Sequence, residues 1–264
     1  MKDGTPPKIQ VDGLSIGFPG LTVQHGISFT VKTGSIFAIM GSSGCGKSTL
    51  LKTMIGLLRP SAGTIRVEDI DYWALGNAER AKLGRRFGVL FQDGALWTSM
   101  TTGDNVALAM RMLTKLSASS IASLVRVKLA MVGLAASSFT MPADLSGGMR
   151  KRAGLARALA LDPDILFFDE PSAGLDPTAS RRLDDLICEL RDGFGTTVVL
   201  VSHELPSLFA ICDDGIFLDP VSKTPIAHGA PRVLRDTCVN ETVRAFMHRE
   251  RIQSDRPAPD AAHG

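Results

Sequence analysis

The stretch Gly41-Ser42-Ser43-Gly44-Cys45-Gly46-Lys47-Ser48-Thr49 constrains this chain more than any other. Glycines, a lysine and hydroxyls stand in it at the spacing of a loop that cradles phosphates. The pattern asks for Gly, four free residues, Gly-Lys and then Ser or Thr, and Gly41, Gly46, Lys47 and Ser48 fill those places. Glycine is needed because the backbone must turn tightly and bring its N–H groups to phosphate oxygens, where a Cβ would intrude. The apolar run Ser35 to Met40 before it reads as a buried strand, and Ser48 to Ile55 after it reads as a helix. An anion there sits at a helix N-terminus, facing free N–H groups and the positive end of the helix dipole. Lys47 is expected to reach the β- and γ-phosphates, and the Ser48 hydroxyl to ligate Mg²⁺. A Gly/Ser-rich surface loop is the bland alternative, and the flanking strand and helix weigh against it.

Apolar strands elsewhere end in polar residues. Gly88-Val89-Leu90-Phe91 stops at Gln92, which is a turn residue unless the strand end points at phosphates. Asp164 to Phe168 is a buried strand closing on Asp169 and Glu170. Carboxylates at the C-terminal end of such a strand face the place where open α/β sheets bind ligands. One can hold Mg²⁺ and the other can orient a water for in-line attack on a γ-phosphate. Thr196 to Val201 stops at Ser202-His203-Glu204, where His203 is either a structural histidine or a contact to a γ-phosphate oxygen.

Between 100 and 141 the composition turns to Ala, Leu and Met with helical spacing at Ile121, Leu124, Val125, Leu129 and Val132, which predicts a helical insertion. Behind it Ser146 is a good N-cap, so Gly147 and Gly148 leave bare N–H groups at the start of a long helix. This is a second candidate anion site; alone it would read as an ordinary capped helix. Ser172 to Pro177 is a turn into an amphipathic helix carrying Leu183, Leu186, Ile187 and Leu190. The first forty residues alternate as half-buried antiparallel strands. Phe18, just before Pro19-Gly20, is either a ring for adenine to stack on or the last core residue of its strand.

With 44% apolar residues the 264-residue chain is globular, and a formal net charge of +2 gives no argument for nucleic acid. Cys45, Cys188, Cys212 and Cys238 lack paired or metal-like spacing, which suits reduced thiols in a cytoplasm. Nothing near the N-terminus resembles a signal peptide, and no apolar run approaches bilayer-spanning length. Val243 to Arg249 reads as a helix. Arg244, Arg249, Arg251 and Arg256 are interrupted by Glu250 and Asp255, which favours a solvated face over a lipid-binding one. The polar tail at 253–264 reads as disordered.

Taken in order, these stretches resemble the nucleotide-binding subunit of ABC transporters over about the first 230 residues. Phe18 falls where the family has its stacking aromatic, usually Tyr; Gly41 to Thr49 match Walker A and Gln92 the Q-loop. Leu145 to Gly148 match the signature, with Met149 where many members have Gln; Ile165 to Asp169 match Walker B, and Glu170 falls where the family has its catalytic glutamate. Ser172 to Asp176 match the D-loop and His203 the switch histidine. The resemblance implies a P-loop NTPase α/β fold: a mixed sheet, an antiparallel β subdomain and an inserted α-helical subdomain at about 98–160, all in one domain over 1–252. It implies ATP and Mg²⁺ as cofactors. ATP would lie on Phe18 and the loop from Gly41 through Ser42, Ser43, Gly44, Cys45, Gly46, Lys47 and Ser48 to Thr49. Glu170, His203, Gln92 and Lys47 would be catalytic, and Ser48, Gln92 and Asp169 would hold Mg²⁺. Ser146, Gly147, Gly148 and Asp176 would touch the ATP of a partner subunit in a head-to-tail homodimer.

A narrower likeness lies in Phe91 to Trp97, Met141 to Met149 and Ala227-His228-Gly229, which are similar to the ATPases of Mla and Mce-type lipid-trafficking systems. That likeness implies ATP-driven phospholipid transport between inner and outer membrane, with the chain peripheral on the cytoplasmic face of the inner membrane. The implied partners are an integral-membrane permease, a periplasmic lipid-binding MCE protein and a small cytoplasmic regulatory subunit, without nucleic acid. An ATPase for another ABC transporter, such as an importer of small polar solutes, is the alternative.

Overall fold

The computed structural model describes residues 6–250. Arg251, Arg256 and the 253–264 tail lie outside the described residues. In chain order the elements are β1 (Ile9–Phe18), β2 (Leu21–Val31), β3 (Ile36–Met40), α1 (Lys47–Met54), β4 (Ala62–Val67), β5 (Ile70–Asp71), α2 (Asn77–Gly84) and β6 (Phe87–Leu90). They continue with α3 (Thr102–Leu113), α4 (Ala118–Met131), α5 (Gly147–Ala158), β7 (Ile165–Asp169), α6 (Pro177–Phe194), β8 (Thr197–Val201) and α7 (Leu205–Ile211). The chain closes with β9 (Asp214–Leu218), β10 (Pro225–His228), α8 (Pro231–Thr237) and α9 (Glu241–His248).

Two sheets result. The antiparallel one runs β2-β1-β4-β5, and its first hairpin turns at Pro19 and Gly20, where a φ of 79° suits glycine. The second runs β10-β9-β3-β8-β7-β6 and is mixed: β9, β3, β8, β7 and β6 are parallel, and β10 returns antiparallel along the edge. β3, β7 and β8 are buried on both faces, which is why their sequences are unbroken apolar runs rather than alternations. Successive residues of each feed different cores. Phe37, Ile39, Val199, Val201 and Phe167 pack with α1 and the antiparallel sheet. Ile36, Ala38, Met40, Leu166, Phe168, Val198 and Leu200 pack toward the helices, among them α3 to α6. The period-2 geometry of a strand divides one sheet between two hydrophobic layers.

The helices follow their sequence signals. Ser117, Ser146 and Asp176 cap α4, α5 and α6 by accepting from backbone N–H groups, and α6 stops at Gly195 with φ 66°. β9 is a buried strand beside β3, and Gly215 lets Ala38 of that strand come close. A cluster of charges joins the sheets. Lys8, just before β1, pairs with Glu68, just after β4, and lies 2.5 Å from Asp164, just before β7. Arg86, before β6, grips Glu68 through two 2.8 Å hydrogen bonds and also pairs with Asp164. Hydrogen bonds from Arg86 and Lys8 hold the Glu68 carboxyl down at about 2. Burial pushes Asp164 up, but the same two partners outweigh it and leave that carboxyl below its ordinary value.

Candidate nucleotide site

Parallel neighbours deliver their loops to one edge. β3 leads into Gly41, β6 into Gln92, β7 into Glu170 and β8 into His203, and these four strands lie side by side in the order β3-β8-β7-β6. Chemistry-bearing residues from four distant parts of the sequence therefore converge at the C-terminal end of one sheet. They line a cavity of about 890 Å³ together with Phe18, Ser42, Ser43, Gly44, Gly46, Lys47, Ser48 and Thr49.

The loop around Gly41 to Gly46 requires its glycines. Gly41 has φ 143°, and a Cβ there would stand 2.5 Å from the Leu218 carbonyl oxygen and 2.6 Å from Cys45 Sγ. Gly46, with φ 103°, would meet Val23 Cγ1 at 2.6 Å; as the residue before α1 it caps the helix without a side chain, so the first N–H groups stay free. Lys47 folds back over the loop and donates to the carbonyls of Gly41 and Ser42, both at 2.9 Å. The Ser48 hydroxyl donates to Asp169 Oδ1 at 3.0 Å.

Glu170 has a left-handed backbone, φ 51°, uncommon for a residue with a side chain. Its carboxylate is 2.8 Å from His203 Nδ1 through Oε1, and Oε2 accepts from the His203 backbone N–H at 3.3 Å. The turn thus aims the acid across to the neighbouring strand end rather than along its own.

A separate cavity of about 350 Å³ holds Ser146, Gly147, Gly148 and Asp176, away from the first group. Ser146 accepts from the Met149 N–H at 3.2 Å, and Asp176 Oδ1 accepts from Thr178 and Ala179, both at 3.0 Å. A Cβ on Gly147 would meet nothing within 4 Å, so open space lies over the first turn of α5.

The sequence-derived sites divide accordingly. Phe18 is 54% exposed at the cavity wall, which rules out a core role. Cys45 is the exception in the loop: its side chain turns inward against Gly41 and does not line the cavity, and burial pushes its thiol up. Asp169 meets the site through Ser48. Three contributions escaped the sequence. Gln24 is fully buried in β2, and its amide donates at 2.8 Å to the carbonyls of both Cys45 and Asp219, tying the loop to β2 and to the end of β9. Lys151 of α5 reaches the Glu170 carbonyl at 3.3 Å. Phe246, Arg249 and Glu250 at the end of α9 form part of the cavity wall, so Arg249 is not merely on a solvated face. Counted back from Ile27, Phe29 and Val31, Gln24 falls on the outward side of β2, so alternation carried no signal for it; the other two depend on packing between distant elements.

The residues fit a nucleotide with Mg²⁺. The glycines leave bare N–H groups where Cβ atoms cannot fit, Lys47 brings one cation, and Ser48 beside Asp169 offers a hydroxyl and a carboxylate oxygen of the hard type Mg²⁺ takes. Among the described residues no cluster of three or more His, Cys, Asp or Glu could hold a metal by itself. Among those residues, too, no helix is long and apolar enough to cross a membrane.

Comparison with known proteins gives the same direction. A family profile described as ABC transporter matches residues 24–173, and one described as an AAA domain matches 137–210. The intermembrane phospholipid transport system ATP-binding protein MlaF of Escherichia coli is 43% identical over 221 residues, spanning 84% of this chain and 81% of that protein. A Mycobacterium tuberculosis protein named "Probable ribonucleotide transport ATP-binding protein mkl" is 38% identical over 244 residues, 92% of this chain and 67% of its own. Among solved structures, a dimeric ATP-binding cassette in a post-hydrolysis state with ADP and Pi superposes with a TM-score of 0.77 at 26% identity, covering 83% of this chain and 97% of that one.

Proposed function

The chain belongs to the ABC transporter family as an ATP-binding, ATP-hydrolysing subunit, and on that premise we propose that it powers phospholipid movement through a membrane permease. The similarity to MlaF over most of both chains carries the choice of phospholipid. Its place would be the cytoplasmic face of the inner membrane, held there by the permease. A lipid-binding MCE protein on the periplasmic side and a small cytoplasmic regulatory subunit would complete the assembly.

In this reading ATP lies along the Gly41 to Thr49 loop with its base against Phe18. Lys47 leaves the loop carbonyls to meet the β- and γ-phosphates, and the free N–H groups at the start of α1 hold their oxygens. Ser48, Asp169 and Gln92 would hold Mg²⁺, which neutralises charge on the phosphates when bound. Glu170 accepts a proton from the attacking water, and His203, hydrogen-bonded to it, sets its direction and faces the γ-phosphate. The Ser146 helix end and Asp176 lie in their own cavity, apart from this loop, so they would serve the nucleotide of a second copy in a head-to-tail dimer. Two ATP molecules would then hold two copies together, and loss of the γ-phosphate would let them part.

Intact-complex mass spectrometry of material isolated from native membranes tests the assignment. Two copies of this chain with a permease and bound phospholipid are expected; a permease carrying a small polar solute and no lipid would sink the lipid reading. The mycobacterial relative's name favours that second reading, transport of a ribonucleotide. Transport assays with both cargo classes separate them.

A further inference from the structure

On the reading that Glu170 activates water, we infer that Lys151 is a positioning residue that links the two cavities of one protomer, fixing the Glu170 turn according to where the start of α5 sits. Lys151 lies five residues into the helix that begins beyond Ser146 and lines the same cavity as Ser146, Gly147 and Asp176. Its ammonium does not stay there. It donates to the Glu170 carbonyl at 3.3 Å and, at shorter range, to the Ala173 carbonyl.

Those two carbonyls bracket the turn that makes Glu170 unusual. The backbone at Glu170 is left-handed, an arrangement that persists only where surrounding structure holds it. The turn's own bonds are few: Glu170 N–H to Val201 O at 2.9 Å, Ala173 N–H to Glu170 O at 3.2 Å and Leu175 N–H to Ser172 O at 3.1 Å. Ser172 is buried in the middle, yet its hydroxyl has no partner among the described residues. Among those residues Lys151 is the one side chain that donates to the carbonyls of residues 170–175.

Lys151 is 7% exposed, and burial lowers the affinity of its amine for a proton. A lysine buried at that cost, with two carbonyls as its hydrogen-bond partners, works as a pin. When a second copy's phosphates engage the first turn of α5, any shift of that helix is passed through Lys151 to the Glu170 backbone. The carboxylate then moves relative to His203 Nδ1, now 2.8 Å away. The same shift tightens or slackens Ala173 in the turn that leads to Asp176.

The test uses the full chain in its native-membrane complex. Lys151→Met is expected to lower kcat by about 10- to 100-fold, the loss typical of a misplaced catalytic group, while KM for ATP stays within about 3-fold and the melting temperature holds. Lys151→Arg, which can donate to the same carbonyls, is expected to return kcat to within about 3-fold of the parent. Combined with Gly147→Ala, Lys151→Met should cost less than the product of the two single losses, because both interrupt one linkage. A parental kcat in Lys151→Met, or single losses that multiply independently, overturns the inference. If Lys151→Met does not fold, Lys151→Arg and the cycle built on Lys151→Gln carry the test; an Arg variant with parental melting but deep loss of kcat also overturns it. Glu170→Gln run alongside separates the failures. Parental turnover there removes the premise, whereas slow turnover there with parental Lys151→Met removes only the pin.

Discussion

The two cavities use glycine for opposite reasons. In the first, Gly41 and Gly46 are demanded by the chain itself, since a Cβ would collide with Leu218 O or Val23. In the second, Gly147 faces open space and Gly148 would make only ordinary 3.8 Å contacts with Leu175 and Ala179. The polar groups differ likewise. Lys47, Ser48 and Glu170 are closed on internal partners, whereas the start of α5 has only its Ser146 cap. One cavity is a finished pocket; the other, on the proposed reading, would be half of a contact whose remainder another molecule supplies.

The sharpest way to break that contrast is Glu170→Gln. Turnover should fall by about 10²- to 10⁴-fold, as for loss of a general base, while ATP stays bound and dimers accumulate; phosphate release and sedimentation read both. Lys47→Ala comes next. Losing a charged hydrogen-bond donor worth about 1.5–3 kcal/mol should weaken ATP binding roughly 10- to 100-fold, measured by equilibrium titration with Mg²⁺. Unaltered affinity would remove Lys47 from the phosphate cradle.

Paired glycine substitutions sharpen the comparison directly. Gly41→Ala should destabilise the chain itself by about 1–3 kcal/mol, from overpacking and a strained backbone. Gly147→Ala should leave melting unchanged or slightly raised, since alanine is about 0.5–1 kcal/mol better than glycine in a helix, yet slow turnover about 10-fold by crowding the partner's phosphates. If Gly147→Ala melted early, or turned over normally, the second cavity would not be a contact for another copy.

The smallest effect lies away from both cavities. Glu68 has its carboxyl held at about 2, below the ordinary 4.5, so its stabilising share is complete above pH 4.5 and is lost as pH falls from 4.5 toward 2. The side chain is 42% exposed, so screening keeps that share to about 1 kcal/mol or less, roughly 2–4 °C in Tm. Glu68→Gln should melt lower near neutral pH and show a shallower slope across that window.

How much of this the sequence carried follows from where each signal was stored. β3, β7 and β8 were readable because strands buried on both faces need continuous apolar runs, and Gly41, Glu170 and His203 beyond those runs line one cavity. Ser146 was readable because caps are local, whereas Asp176 was legible only as part of a turn into the helix that it also caps. Gln24 was hidden by register shifts that carry the β1–β2 pairing off a simple alternation. Lys151 and Arg249 look in sequence like solvated cations, and only the packing of α5 against the Glu170 turn and of α9 beside the cavity gives them a place. The bases of strands and helices are written locally; which of their ends meet is not.

Gln24 has one more consequence. A single amide clamps the hairpin that carries Phe18 to the carbonyl inside the phosphate loop and to the exit of β9. On the proposed reading of the site, the seat for the base and the seat for the phosphates would be fixed to one frame, and the distance between them would act as a gauge of set length. A molecule that reaches both ends would gain two anchors, and one too short to span them only one.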